Sequence, residues 1–300
     1  MTKNVLVIIA TYNGGKYLAE QLESVLYQEN VNVSILVRDD ASSDDTQIIL
    51  NSYKDAGKLE WYTGNHLNAA RSFWDLMKKC NKYDFDYVAF CDQDDVWDKD
   101  KLYVAVTHLN TIEQDTPSLY YCGQRLVDSS LDFISSHKLN RNRSLLARFV
   151  ISDIAGCTAV FNKSLLKSVV KYEPKYLQMH DTWILKVCLC LGGKVFVDPD
   201  MHINYRQHSN NAIGLVRGLC GYIRLVNFHI SKNHIEQQML ELKKGYSEHM
   251  VKEYKELVEY ICEYRSNKKY KKKLLDFNYI NFCNKGLNLT YWLKVKTNKL

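Results

Sequence analysis

Residues 4–10, Asn-Val-Leu-Val-Ile-Ile-Ala, form an unbroken apolar run rich in β-formers, which predicts a strand buried on both faces of a parallel sheet. Thr11-Tyr12-Asn13-Gly14-Gly15 breaks the run with turn chemistry, and Leu18, Leu22, Val25 and Leu26 then recur at helical spacing. The pattern repeats. Residues 33–38 predict a second strand, Asp39-Asp40-Ala41-Ser42-Ser43-Asp44-Asp45-Thr46 is a polar turn with capping residues, and a helix follows through 48–53. A third short strand is expected around 59–63, a helix from about 69 to 79, and a fourth strand over 87–91 that ends abruptly in Asp92, Asp94 and Asp95. This order implies right-handed crossovers and a doubly wound sheet whose ligands bind at the carboxyl ends of the strands.

Beyond it the pattern predicts a helix from Trp97 to about Leu109, a strand at 118–122 and a polar stretch to Arg143. An apolar segment at 151–161, interrupted by Ala155-Gly156-Cys157-Thr158, precedes an apolar helix at 184–191 and a strand at 192–199. From Leu215 onward the periodicity is that of amphipathic helices, 215–230 and 235–264. The expected fold class is α/β: a Rossmann-like, mostly parallel sheet flanked by helices over 1–214, and a helical extension over 215–300.

Composition changes this picture little, since 300 residues bury one core and an appendage when single domains stop near about 250 residues. With 46% hydrophobic and 25% charged residues, disorder is not expected. No apolar run nears the roughly 20 residues of a bilayer span, and the short run 5–9 behind Lys3 lacks the features of a signal peptide, so a cytoplasmic chain is expected. Nine cysteines contain no Cys-x-x-Cys pair, and Cys188 and Cys190 sit inside an apolar run, which favours reduced core thiols over a zinc site or disulfide framework. Charge is more telling. Between Arg265 and Leu300 ten Lys or Arg face one acid, Asp276, so this tail carries +9 of a net +6 and the first 264 residues carry −3. Its partner is expected to be anionic, and with no recognised binding module beside the charge, nucleic acid is not expected.

Asp94 and Asp95 repel each other, and Asp92 lies two residues from Asp94, on the same side of an extended chain. A hard divalent ion, Mg²⁺ or Mn²⁺, answers that charge; the competing reading is a solvated turn that caps the helix beginning near Trp97. There is no Gly-x-Gly-x-x-Gly and no Gly-x-x-x-x-Gly-Lys-Ser/Thr, so a dinucleotide or P-loop cradle is disfavoured and a diphosphate would be neutralised by metal. Gly156 is read either as a close approach of backbone to ligand or as a packing glycine. Asp181, ahead of the 184–191 helix, is either a functional carboxylate or a cap, and His208, in the polar stretch Tyr205-Arg206-Gln207-His208, either ligates metal or sits in a surface loop.

Together these stretches resemble the family-2 glycosyltransferases with the GT-A fold, over roughly residues 3–214. Ala10-Thr11-Tyr12-Asn13 resembles the family's opening strand end, Asp39 to Thr46 its Asp-Asp-x-Ser-x-Asp-x-Thr stretch, and Asp92-Gln93-Asp94 its Asp-x-Asp signature. His180-Asp181 and Tyr205-Arg206-Gln207-His208 are similar to a bacterial rhamnosyltransferase-like subgroup that builds capsular or cell-wall polysaccharide. The resemblance implies that Ala10, Tyr12 and Asp40 line the base and ribose pocket, Asp92 meets the ribose, Asp94 and His208 hold Mn²⁺ or Mg²⁺, and Asp181 is the general base of an inverting transfer. It implies a nucleotide-sugar donor, dTDP-rhamnose first and a UDP-hexose second, and a lipid-linked or polysaccharide acceptor.

Two positions depart from the pattern. His66-Leu67-Asn68 stand where the subgroup reads Asn-x-Gly, and since Asn tolerates left-handed backbone, the turn is expected to survive. Thr182 stands beside Trp183 where an aromatic residue is common, a position expected to border the acceptor. The basic tail fits an anionic membrane surface, implying a peripheral protein at the inner face of the cell membrane; a solvated helical extension or a dimer surface is its competing reading. As whole functions, a nucleotidyltransferase and a non-catalytic sugar-nucleotide or polysaccharide scaffold compete with the transferase.

Overall fold

The computed structural model describes residues 2–208 and 234–300. The strands β1 (Lys3–Thr11), β2 (Val31–Asp39), β3 (Glu60–Thr63) and β4 (Tyr87–Cys91) run parallel in the spatial order β3-β2-β1-β4. Alternation along β1 sends Leu6 and Ile8 into one apolar cluster and Val5, Val7 and Ile9 into another, so both faces are covered. The helices α1 (Leu18–Leu26), α2 (Thr46–Asp55) and α3 (Ala69–Lys79) return the chain between these strands. Register sets the level of the strand ends. Thr11 lies opposite Asp39, and Ile9 opposite Cys91, so three strands end together and three loops open along a single edge.

The second half comprises β5 (Val96–Trp97), α4 (Lys101–Leu109), β6 (Ser118–Val127), β7 (Phe133–His137), α5 (Leu145–Val150), β8 (Val160–Asn162), α6 (Lys163–Val170), α7 (His180–Cys190) and β9 (Lys194–Arg206). Here β8 lies antiparallel between β4 and β6, β9 runs parallel beside β6, and β5 and β7 pair antiparallel to β9 and β6. The fold is α/β as expected, with a mixed sheet whose parallel part is concentrated in the first half.

Three expectations shift. The helix placed at Trp97 begins at Lys101, because Val96 and Trp97 are captured as a strand by Asn204 and Ile203. The acidic turn therefore leads into a strand and does not cap α4. The strand at 192–199 extends to Arg206, its pairing with β6 interrupted by register shifts around Gly123 and resumed beyond Pro199, as suits a proline at an irregularity. Asn68 is extended, at φ −77°, and caps α3 by accepting from the Arg71 N–H at 3.0 Å, so no left-handed turn is formed there.

After residue 233 come α8 (His234–Tyr246), α9 (Lys252–Glu263), α10 (Lys268–Leu274) and α11 (Lys285–Lys296). Met239, Leu242, Leu257 and Ile261 share one apolar cluster with Trp183, Leu185 and Val187 of α7, so this extension completes the main core. The expected helix 215–230 and the division at 214/215 lie outside the described residues. Among the described residues no helix is long and apolar enough to cross a membrane.

Asn162 ties the two halves of the sheet. Its Oδ1 accepts from Leu165 N, capping α6, and from Ser118 N, both at 3.0 Å, while its Nδ2 donates to Thr116 O at 2.8 Å. Asn162→Ala therefore leaves buried partners unmet and is expected to cost about 2 kcal/mol, read as a lower urea midpoint with an unchanged slope. An unchanged midpoint contradicts the tie.

Candidate active site

The site is built where β4 stops. Gln93 points back to the exit of β1: its Oε1 accepts from Thr11 Oγ1 at 2.7 Å and from Tyr12 N at 2.9 Å, and its Nε2 donates to Tyr12 O at 3.3 Å. A Cβ on Gly14 would stand 2.5 Å from that Oε1, so a larger residue there would have to displace the Gln93 side chain. The β1 and β2 exits are stitched as well. Gly14 N donates to Thr46 Oγ1 at 2.9 Å, Gly15 N to Asp44 Oδ2 at 2.9 Å, and Ser43 N to Asn13 Oδ1 at 2.9 Å, with Asn13 in the left-handed region at φ 48°. Burial pushes the Asp44 carboxyl up, but hydrogen bonds from Thr46 and Gly15 outweigh it and hold the group below its ordinary value.

Ala10, Tyr12 and Asp40 sit along these exits. Tyr12 is 46% exposed, its ring centroid 4.2 Å from that of His66, while Ala10 is half-buried at the strand end. Asp40 is buried and already engaged: it pairs with the Arg38 guanidinium and accepts from Ser72 Oγ at 2.6 Å and Leu67 N at 3.1 Å. It thus fixes the 64–72 loop against β2.

On the other side of the acidic turn stands the end of β9. Arg206 N donates to Asp95 Oδ1 at 3.0 Å, and the guanidinium donates to Asp94 O at 2.8 Å and Ser129 O at 2.6 Å, pairs with Glu20 at 2.5 Å and covers the Tyr17 ring at 4.4 Å. Two residues on, His208 Nε2 reaches Asp94 Oδ2 at 2.7 Å. Arg206 is the staple that brings Asp94 and His208 together.

Asp181 enters from a third direction, in the first turn of α7. It is 6% exposed, and burial pushes its carboxyl up to about 6, against hydrogen bonds from the Thr182 and Gly156 backbone that favour the anion. Beside it His180 is buried, stacked on Phe73 at 4.0 Å and edge-on to Phe90 at 4.6 Å, and burial lowers its pKa to about 3, so it is a neutral packing element. A Cβ on Gly156 would stand 2.7 Å from His180 Nε2, which makes Gly156 a packing glycine against protein. The carboxylates sense one another. The Asp92 carboxyl is raised first by burial, then by the charges of Asp94 and Asp181.

The donors present suit a hard divalent cation: Asp94 and His208 supply one carboxylate and one imidazole within 2.7 Å, at a turn whose charges repel, leaving positions for phosphate oxygens and water. Asp92, Asp95 and Cys157 also converge, but burial pushes the Cys157 thiol well above its ordinary value, so it stays protonated and is a poor ligand for a hard cation. Asp98, Asp100 and His202 converge too; Arg125 already pairs with Asp98, and His202 with Asp100 at 3.2 Å. The described structure thus places Ala10, Tyr12, Asp40, Asp92 and Asp94 along the edge where β1, β2 and β4 end, with His208 against Asp94 and Asp181 near Asp92. Sequence reasoning assigned no role to Gln93, Arg206 or Arg38. Gln93 was marked only by standing between two signature aspartates, and Arg206 only by lying two residues before His208.

The model of the family described as Glycosyl transferase family 2 matches residues 6–170. The chain is 28% identical over 222 residues to a dTDP-rhamnosyl transferase of Shigella flexneri, covering 69% of this chain and 73% of that one. It is 33% identical over 208 residues to a UDP-Glc:alpha-D-GlcNAc-diphosphoundecaprenol beta-1,3-glucosyltransferase of Escherichia coli, covering 69% and 78%. Among solved structures, S. aureus TarS 1–349 in complex with UDP-GlcNAc aligns over 98% of this chain and 79% of that chain, with a TM-score of 0.61 at 16% identity, a likeness of fold.

If Arg206 positions the two cation donors, Arg206→Lys, which keeps the charge but loses the planar fork, is expected to weaken Mn²⁺ binding about tenfold. Calorimetric titration of the folded variant reads this directly. Cation affinity equal to the parent's shows that the staple is structural only.

Proposed function

Because the chain belongs to glycosyl transferase family 2 and is a glycosyltransferase of the GT-A fold, we propose that it carries out an inverting, Mn²⁺- or Mg²⁺-dependent transfer from a pyrimidine nucleoside diphosphate sugar. The donor proposed first is dTDP-rhamnose and the second a UDP-hexose, in keeping with the names of the two relatives. The acceptor is a lipid-linked or polysaccharide hydroxyl in bacterial capsule or cell-wall synthesis, in keeping with the diphosphoundecaprenol acceptor in the second relative's name. One observation carries the reading: a buried carboxylate of raised pKa, Asp181, stands close enough to the Asp92-Gln93-Asp94 turn for its charge to act on Asp92.

The exposed Tyr12 ring offers a face for the base, and the Asp40 loop, locked by Arg38 and Ser72, walls the pocket. Asp92 would meet the ribose, and Asp94 with His208 would hold the cation. When bound, the cation neutralises the charge that develops on the departing diphosphate. Asp181 takes the proton of the acceptor hydroxyl, which is a poor nucleophile until that proton leaves. A carboxyl at about 6 suits this task, being more basic than an ordinary carboxylate yet ionised at neutral pH. The attacking oxygen approaches opposite the diphosphate, which inverts the anomeric centre without a covalent enzyme intermediate.

Asp181→Asn is expected to lower kcat by about 10²- to 10⁴-fold with nucleotide binding retained. In the parent, kcat/KM should fall about tenfold per pH unit below about pH 6, where Asp181 takes up a proton. Transfer by Asp181→Asn at the parent rate removes Asp181 from the chemistry.

A further inference from the structure

The helix α11 has two apolar faces. Tyr291 and Val295 are buried against the rest of the extension, while Leu289 and Leu293, one turn apart, are 58% and 48% exposed, with Trp292 half-buried beside them. Lys296 continues the outward stripe, its ammonium 5.1 Å from the centre of the Trp292 ring, and Lys285 and Lys299 are exposed at the two ends. The basic helix α10 lies alongside. Lys271 Nζ donates to Lys296 O at 3.1 Å and Asn298 Oδ1 at 2.9 Å, fixing the two helices to each other. Lys269, Lys272 and Lys273 of α10 border a cavity of about 500 Å³ together with Tyr260 and Tyr270, whose rings are 4.7 Å apart.

A water-exposed leucine pair beside an indole, rimmed by lysines with one acid in the whole segment, is the pattern of a helix lying in a membrane interface. We infer that α11 inserts Leu289, Trp292 and Leu293 shallowly into a bilayer containing anionic lipid, and that the α10 lysines bind its phosphate headgroups. Charge decides against a second copy of this chain as the occupant, because two +9 segments repel across such a contact. The face is attractive only to a surface that supplies negative charge and apolar depth together. The purpose of this contact, bringing the crevice to a lipid-linked acceptor, rests on the proposed transferase reading, whereas the contact itself does not.

The test uses the full chain with vesicles of phosphatidylcholine, with and without phosphatidylglycerol. Binding should need the anionic lipid and weaken with salt. Leu289→Asp/Leu293→Asp, which changes exposed positions only, should lower partitioning about tenfold or more, and Lys269→Gln/Lys272→Gln/Lys273→Gln should lower it and flatten its salt dependence. Thermal melts confirm that both variants fold. UDP and dTDP binding, measured on the same samples, should be equal in parent and variants; its absence from all three sinks the transferase reading and leaves the vesicle result standing. No binding of the parent to anionic vesicles, or equal binding by both variants, overturns the inference. So does a parent dimer that the leucine variant dissociates.

Discussion

Like charges crowded at the mouth of β4 are the constraint on which the site depends. Two unit charges about 4 Å apart near a protein surface cost on the order of 4 kcal/mol, a large share of the 5–15 kcal/mol by which a domain is typically stable. Burial and neighbouring charge push the Asp92 and Asp95 carboxyls up, so protonation relieves part of that repulsion and hydrogen bonds around the turn relieve more. Arg206 gives a backbone N–H to the Asp95 carboxylate and a guanidinium N–H to the Asp94 carbonyl, and Gln93 anchors the turn to the β1 exit. The remaining charge is directed outward with His208, where a divalent cation and a diphosphate would complete it.

The second half of the chain brings the remaining groups to this turn. Capture of Val96 and Trp97 by β9 brings the chain carrying Arg206 and His208 beside the acidic turn. Burial of α7 between the sheet and the later helices holds Asp181 in an apolar setting, where its carboxyl is raised while the Thr182 and Gly156 backbone keeps it oriented. Donor-side and acceptor-side groups thus arrive on different elements and meet at one edge.

The parallel half of the sheet was legible because its strands are continuous apolar runs, and the strand-end motifs followed from their spacing. What escaped the sequence depends on distant pairing. Val96-Trp97 reads as a helix start until Ile203 and Asn204 are seen to claim it, and residues 133–137 read as polar loop although they pair along β6. Asn68 illustrates a local misreading: its left-handed tolerance was the salient property, but its side chain was used as a helix cap. Of the site, the carboxylates and His208 carried their own signals. Arg206 and Gln93 act through hydrogen bonds to backbone far along the chain, which no local pattern encodes. Asp181 was visible as an acid at a helix start, whereas its raised pKa depends on burial that only the packed core supplies.

On this reading the acidic turn is a cation and diphosphate site. Calorimetric titration of UDP and of dTDP, each with Mn²⁺ and with chelator, into the intact protein and into Asp94→Asn tests it. One nucleotide is expected to bind only with the metal, and Asp94→Asn to abolish the binding. Metal-dependent binding by Asp94→Asn as tight as by the intact protein, or no nucleotide binding under any condition, would contradict it.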